Sequence, residues 1–209
     1  MKKISALLIV LSSFAMGQKL SKDEISLINK GDITTALPIY QITDTHQHSV
    51  LLTKSKDIQP KDPNTEILVN RMKESLLQTD GRVGIAAPQV GINRRVVWVQ
   101  RFDKPYKPLE YFINPVITWK SEIQNLGSEG DLSIPEFRDL FYRSKVIQVE
   151  YDDLKGIKHK EMVEGFTAVI LQHEIDHLFG ILISDKKKAD AAKSYIKTDA
   201  YMDSNSSVR

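Results

Sequence analysis

The chain has 209 residues, with 29 Lys and Arg against 27 Asp and Glu, and it contains no cysteine. This length suits one domain of ordinary size with a core of its own. The nearly balanced charge argues against a nucleic-acid partner, and the lack of cysteine excludes disulfides and thiolate metal sites.

The N-terminus has the three regions of a secretory signal peptide. Lys2 and Lys3 are basic, residues 4–14 are mostly apolar, and small residues follow where a signal peptidase reads the chain. We therefore predict a signal peptide over residues 1–17, cleavage before Gln18, and an exported protein, either periplasmic or secreted. The alternative is an N-terminal core helix or strand. No apolar run reaches the roughly 20 residues of a membrane helix, so no stable membrane anchor is expected.

Two helices are predicted in the first half of the chain. Ser21 suits the cap of a short helix that ends near Lys30, and residues 31–38 form a linker. Asp62 and Pro63 begin a second helix, because proline fits the first helical turn. Its apolar residues recur at helical spacing and are expected in the core: Ile67, Leu68, Met72 and Leu76.

The second half of the chain alternates as strands do and ends in a helix. Strands are expected at residues 95–99, 111–117, 146–151 and 159–163. An apolar run from Thr167 to Leu171 then begins a buried helix, and Gly180 suits its end. Strands followed by a packed helix indicate an α+β domain. The tail of residues 186–209 is polar, and we expect it to begin as a helix and to be partly disordered at its end.

The last helix carries His173-Glu174-Ile175-Asp176-His177, a His-Glu-x-x-His motif. Residues four apart share one helix face, so His173 and His177 can hold one metal ion together. Glu174 can then take a proton from the water that the metal activates. A surface helix with two solvated histidines is the alternative, and the apolar residues before the motif argue against it.

Two further segments precede this motif in a fixed order. They are Gly84-Ile85-Ala86-Ala87-Pro88-Gln89-Val90-Gly91 and Glu129-Gly130-Asp131-Leu132-Ser133. Together with residues 172–177 they resemble the three signature motifs of the peptide deformylases. The resemblance extends from about Leu37 to about Asp185, which we take as the catalytic domain, with residues 18–36 as an N-terminal extension.

The resemblance implies the fold and the reaction. The fold is α+β with antiparallel strands around a central His-Glu-x-x-His helix, and the reaction removes the formyl group from N-formylmethionyl peptides. The partner is therefore an N-terminal peptide substrate. One divalent metal ion, Fe(II) or Zn(II), is implied, with three ligands: Asp131, His173 and His177. Asp131 stands where the family has a cysteine, and two histidines with one carboxylate are a known zinc and ferrous ligand set.

Further roles follow from the same resemblance. Glu174 is the general base, while the side-chain amide of Gln89 and the backbone N–H of Leu132 face the oxyanion. Gly84 and Ile85 are expected to bind substrate. Arg82 occupies the position of the family's first motif glycine.

Other polar residues are assigned supporting roles or none. Glu129 and Arg143 are expected to form a buried ion pair. Gln172 and Asp176 are expected either to orient the histidine rings or to make ordinary contacts on the helix surface. The other histidines, His46, His48 and His159, lack the spacing of metal ligands. His46 and His48 are expected in a loop.

Two rival functions stay open at the level of sequence. An exported amidase or peptidase with a different substrate fits the predicted location. A peptide-binding deformylase homologue without turnover fits the replacement at Asp131. The oligomeric state is open as well.

Overall fold

The computed structural model describes residues 17–79 and 81–190, with the backbone alone for residues 187–190. Residues 1–16 of the predicted signal peptide and most of the predicted tail lie outside this part. Within it the chain forms the following helices and strands, together with a 3₁₀ turn at Ala87–Val90: α1 (Lys22–Ile28), α2 (Thr45–Leu51), α3 (Pro63–Leu77), β1 (Gly84–Ala86), β2 (Val96–Gln100), β3 (Leu109–Lys120), β4 (Gln124–Asp131), β5 (Ile134–Ser144), β6 (Val146–Asp152), β7 (Lys158–Glu164), α4 (Gly165–Leu178) and α5 (Ile183–Asp190).

The strands form two antiparallel sheets. One sheet has the order β1-β2-β3-β6-β7, and the other is the β4-β5 hairpin. Helix α4 contacts strands of both sheets and the 3₁₀ turn, so it lies at the centre of the domain. The α+β fold with antiparallel strands around a central His-Glu-x-x-His helix is therefore confirmed.

The core explains why α4 is held so firmly. Its apolar side chains pack with residues of β2, β3, β6 and β7 in one buried cluster. Three of these helix residues, Ala168, Leu171 and Leu178, are fully buried. At about 25 cal/mol per Å² of apolar surface, such burial is the main force that keeps a helix in place.

The helices predicted from local signals are present. Ser21 caps α1 in a reciprocal pair with Glu24, and Asp62 caps α3 with Pro63 in its first turn. The N-terminal extension packs against α3 as part of the core through Leu20 and Ile28. The predicted strands also form, as β2, β3, β6 and β7.

Four elements were not predicted, namely α2, β1, β4 and β5, and α5 begins before the helix that was expected in the tail. Helix α2 carries His46 and His48, so their assignment to a loop was wrong. Strands β4 and β5 have no regular alternation of apolar and polar residues, because the hairpin packs only part of each strand against the core. Helix α5 runs across the predicted boundary between domain and tail at residue 186. Among the described helices, none has the length and apolar character needed to span a membrane.

Candidate metal centre and substrate cavity

The last two turns of α4 bring the motif residues into the interior. His173, Glu174 and His177 are 8%, 4% and 1% exposed. The two imidazole rings meet edge to face, with their centroids 5.0 Å apart. Polar side chains as deeply buried as these need partners, because burial of an unpaired polar group is costly.

The hairpin supplies the third buried group. The β4–β5 register shifts between Gly130 and Asp131, and such a bulge redirects the side chains that follow it. Asp131 lies 3% exposed at this point. Its carboxylate and one ring nitrogen each of His173 and His177 offer ligand atoms that all lie within 4.8 Å of one another. The structure thus brings together the three residues that the motifs indicated as ligands.

The hydrogen bonds of these residues test whether a cation fits. Asp131 Oδ2 and both ring nitrogens of His177 have no hydrogen-bond partner in the described structure, although all are buried. His177 Nε2 and Asp131 Oδ2 are 3.4 Å apart. Two ligands of one tetrahedral ion with bonds of about 2.1 Å lie about 3.4 Å apart. The donor set therefore fits a small divalent cation.

Asp131 offers only one of its oxygens to such a cation. Its Oδ1 accepts hydrogen bonds from the Ser133 backbone N–H at 2.8 Å and from Gln89 Nε2 at 3.1 Å. Gln89 Oε1 in turn accepts from the Ala86 backbone N–H at 2.9 Å. Gln89, expected from the resemblance to face the oxyanion, therefore also orients Asp131, a role that the motifs did not indicate.

Glu129 orients His173. Glu129 Oε2 accepts from His173 Nδ1 at 2.9 Å, which leaves Nε2 of the same ring for a metal. Both Glu129 oxygens also accept from Arg143, at 2.7 and 2.8 Å, as the predicted buried ion pair. Arg143 continues to Asp176 on α4. Four side chains are therefore linked in series: His173, Glu129, Arg143 and Asp176. The series begins and ends on α4 and passes through the hairpin.

This arrangement corrects two roles predicted from sequence. Asp176 forms an ion pair with Arg143, and Arg143 pairs in turn with Glu129. Asp176 therefore affects the orientation of His173 only indirectly, through these two side chains. Gln172 Nε2 donates to the backbone oxygens of Ser144 and Ala168, so it ties α4 to the end of β5. Glu129 orients the ring of His173 instead. This residue of the hairpin reaches Nδ1, which lies on the side of the ring away from Nε2.

Burial and neighbouring charges change the pKa of several groups here. Burial opposes ionisation of Glu129, but hydrogen bonds from Arg143 and His173 outweigh it and lower its pKa to about 2. Burial, aided by the charges of Asp131 and Glu129, raises the pKa of Glu174 to about 8 against the opposing effect of His173. Burial lowers the pKa of His177 to about 4. Burial also acts to lower the pKa of His173, but its hydrogen bond to Glu129 and the charges of Glu174 and Asp131 outweigh this effect and raise that pKa to about 9. Metal ligation requires both imidazoles to be neutral, so a bound cation must displace the proton of His173.

Gly84 brings β1 against the catalytic side of α4. A Cβ at this position would lie 2.5 Å from Glu174 Oε1 and 2.8 Å from Ile170 Cγ2, so no larger residue fits without displacement. The Val83 carbonyl accepts from Gln100 N on β2, and alternation then directs the Gly84 backbone groups to the free edge of the sheet. This free edge is available to an extended peptide.

Ile85 does not have the position expected of a substrate contact. Its side chain is fully buried in the core cluster behind the sheet, and its backbone faces Trp98 on β2. The prediction that Ile85 binds substrate is therefore corrected. A strand alternates its side chains and backbone groups, so Gly84 and Ile85 cannot serve the same edge.

A cavity of about 250 Å³ lies in front of the buried cluster. His173, Glu174 and Gln89 form part of its lining. An apolar wall is provided by four residues of α4 and the hairpin: Phe166, Val169, Ile170 and Leu132. The cavity thus combines a polar floor with an apolar side, as in small-molecule and peptide sites generally. His159 lies elsewhere, against Asp153 in the β6–β7 turn.

A buried His-Glu-x-x-His helix with a carboxylate ligand beside a partly apolar cavity defines a metal-dependent hydrolase. The polypeptide deformylase family model matches residues 39–193. The peptide deformylase of Pseudothermotoga lettingae is 39% identical over 136 residues, which cover 65% of this chain and 76% of that protein. That of Desulfitobacterium hafniense is 41% identical over 152 residues, or 73% and 97% of the two chains.

A solved structure gives the same result. The class I type b peptide deformylase from Acinetobacter baumannii, with Met-Ala-Ser bound, has a TM-score of 0.65 at 32% identity and covers 73% of this chain and 98% of its own. The chain belongs to the polypeptide deformylase family. It is a metal-dependent hydrolase that removes the formyl group from N-formylmethionyl peptides, as the three motifs predicted.

Replacement of Glu129 by Gln should weaken metal binding about 10- to 100-fold, because an orienting partner of a ligand histidine is lost. It should also lower the free energy of unfolding by up to about 3–5 kcal/mol, since the buried Arg143 then keeps only Asp176 as a counter-ion. Competition with a chelator measures the first effect, and urea unfolding of metal-free protein the second. Glu136→Gln, at an exposed position of the same hairpin, is the matched control.

The stability effect of Glu129→Gln should depend on pH. The pKa of Glu129 is lowered from 4.5 to about 2 on folding, so its stabilisation is complete above about pH 4.5 and is lost as the pH falls toward 2. The difference in unfolding free energy between wild type and variant should shrink in that range. A difference that stays constant down to pH 2 would contradict the ion-pair assignment.

Proposed function

We propose that Asp131, His173 and His177 hold the single divalent cation of this hydrolase, either zinc or iron(II). One observation carries this assignment. Ligand atoms of three buried residues converge within 4.8 Å, and within the described part of the chain the atoms of Asp131 and His177 among them have no hydrogen-bond partner. Two imidazole nitrogens and one carboxylate oxygen suit both metals.

The cation, when bound, supplies Lewis acidity: it acidifies water and polarises the carbonyl group of the substrate. The protein contributes the geometry. Glu129 fixes the ring of His173, while Gln89 and Ser133 fix the carboxylate of Asp131. A carboxylate is a harder ligand than a thiolate and does not climb the oxidation ladder of sulfur. This property suits a site outside the reducing cytoplasm.

Glu174 is proposed to transfer the proton. Its Oε2 is buried and has no hydrogen-bond partner among residues 17–79 and 81–190, and Gly84 leaves room for the carboxylate beside the cavity. Glu174 accepts a proton as the water oxygen forms a bond to the formyl carbon, and it delivers that proton to the nitrogen as the C–N bond breaks. The products are formate and a peptide with a free amino group.

The cavity indicates how an N-formylmethionyl peptide is held. The apolar wall of Phe166, Val169 and Ile170 suits a thioether side chain such as methionine. The backbone groups of Gly84 at the sheet edge can pair with the extended peptide, the common mode of strand addition. Binding of Met-Ala-Ser by the Acinetobacter baumannii relative supports this proposal.

Replacement of Glu174 by Ala should abolish hydrolysis and leave metal content nearly unchanged. Proton transfer by a positioned side chain is worth about 10²–10⁴-fold, so kcat should fall at least that far. Turnover of formyl-Met-Ala-Ser and elemental analysis of the same samples provide the measurement. Parallel loss of the metal would show that Glu174 is a ligand.

Replacement of Asp131 should separate metal binding from turnover. Asp131→Ala leaves two protein ligands and should lower metal affinity by more than about 100-fold. Asp131→Cys restores the ligand of the family and should retain metal and raise formyl-peptide hydrolysis under anaerobic, reducing conditions. The cysteine variant should also lose activity in air, because a thiolate oxidises.

Metal content and turnover of both Asp131 variants decide the ligand assignment, with Asp153→Ala in the β6–β7 turn as the control. Full metal occupancy in Asp131→Ala would remove Asp131 from the ligand set. An Asp131→Cys variant that binds metal and turns over no peptide would direct attention to Arg82, the other departure from the family pattern.

We propose further that the protein is exported and cleaved before Gln18. The order of basic, apolar and small residues over residues 1–17 supports this. N-terminal sequencing of the periplasmic or secreted fraction should give Gln18 as the first residue. An intact Met1 in a cytosolic pool would contradict it.

A further inference from the structure

Two arginines meet at the rim of the substrate cavity. Arg82 lies in the loop before β1, and Arg138 lies on β5; both are among the residues that line the cavity. Arg82 Nη1 and Arg138 Nη2 each lie 3.6 Å from the position that a Cβ on Gly130 would take, and the Phe137 backbone oxygen lies 3.4 Å from it. Because Gly130 has no side chain, a small space remains between the two guanidinium groups, with this carbonyl oxygen on its third side.

The two carboxylates that line the same cavity do not pair with these arginines. Of the two carboxylates that line the cavity, Glu129 is paired with Arg143, and Glu174 is 4% exposed behind Gly84. Within the described residues, neither Arg82 nor Arg138 forms an ion pair. Two like charges that share one space repel each other, and an anion between them relieves that repulsion.

We propose that Arg82, Arg138 and the space beside Gly130 form a subsite for a carboxylate group of the formyl peptide. This inference rests on the proposed function and names the class of substrate. The planar guanidinium group pairs with a carboxylate through two parallel hydrogen bonds, so two of them can hold one carboxylate from both sides.

The position of the reacting group determines which part of the peptide reaches this subsite. The formyl group is the end of the substrate and lies at the polar floor with His173 and Glu174. Everything beyond the first residue must extend outward past the rim. The carboxylate therefore comes from an acidic side chain at the second or third residue, or from the free C-terminus of a short peptide.

Four peptides distinguish the two sources of carboxylate. Formyl-Met-Ala-Ser is compared with its C-terminal amide, and formyl-Met-Asp-Ser amide is compared with formyl-Met-Asn-Ser amide. Wild-type kcat/KM should be about tenfold higher for the carboxylate member of at least one pair. The difference should lie mainly in KM, since contacts at the rim stabilise the bound substrate and the transition state equally. The preference should fall with added salt, because the rim is partly exposed.

Charge-removing variants identify the residues responsible. Arg82→Gln and Arg138→Gln should each reduce the preference, and the double variant should reduce it to about one. Lys155→Gln, which removes a positive charge from the exposed β6–β7 turn, should leave the preference unchanged. Thermal unfolding of all variants verifies that the fold is retained.

The outcomes separate this inference from the proposed function. Turnover of all four peptides without a carboxylate preference, or a preference that persists in the double variant, would overturn the subsite. Absence of any turnover would count against the proposed catalysis alone. In that case calorimetric titration of zinc-loaded protein with Met-Ala-Ser and its amide decides the subsite: tighter binding of the acid, lost in the double variant, supports it, and equal binding overturns it.

Discussion

The buried ion pair of Glu129 and Arg143 is the interaction on which the site depends. It joins the two strands of the hairpin and extends to His173 and Asp176 of α4. A buried charge without its partner is strongly destabilising, so the hairpin and the helix must meet in one arrangement. That arrangement is the one that brings Asp131 of the hairpin to the two histidines of the helix.

The carboxylate at position 131 is accommodated by its immediate surroundings. One oxygen is occupied by Gln89 and the backbone of Ser133, and the other stays free toward His177. A carboxylate that is held this way has one donor atom in a fixed direction, as a thiolate does. The neighbouring donors therefore compensate for the longer side chain and keep a single oxygen directed at His177.

Close approach of the backbone determines the other half of the site. Gly84 lets Glu174 lie against β1, and Gly130 leaves a space between Arg82 and Arg138 at the rim. In both places a missing side chain makes room for a charged group. The cavity thus has the carboxylate of Glu174 at its floor and two arginines at its mouth.

The sequence by itself determined the elements and residues with local signals. Periodicity and capping signals predict α1, α3, four of the strands and α4. The three ordered motifs indicate the candidate site residues Asp131, His173, His177 and Glu174. The hairpin could not be predicted, because β4 carries two glycines and neither of its strands alternates regularly; each is stabilised by hydrogen bonds to the other. Only pairing between distant segments creates it.

The tertiary structure alone decided how those residues cooperate. Glu129 as the partner of His173, Gln89 as a support of Asp131, and the exclusion of Ile85 from the cavity all depend on strand register and on the packing of α4. Sequence spacing specifies which residues share one helix face, since that geometry is local. Contacts between a helix and a distant hairpin are not local, and the burial of charge that selects them becomes apparent only when the chain is folded.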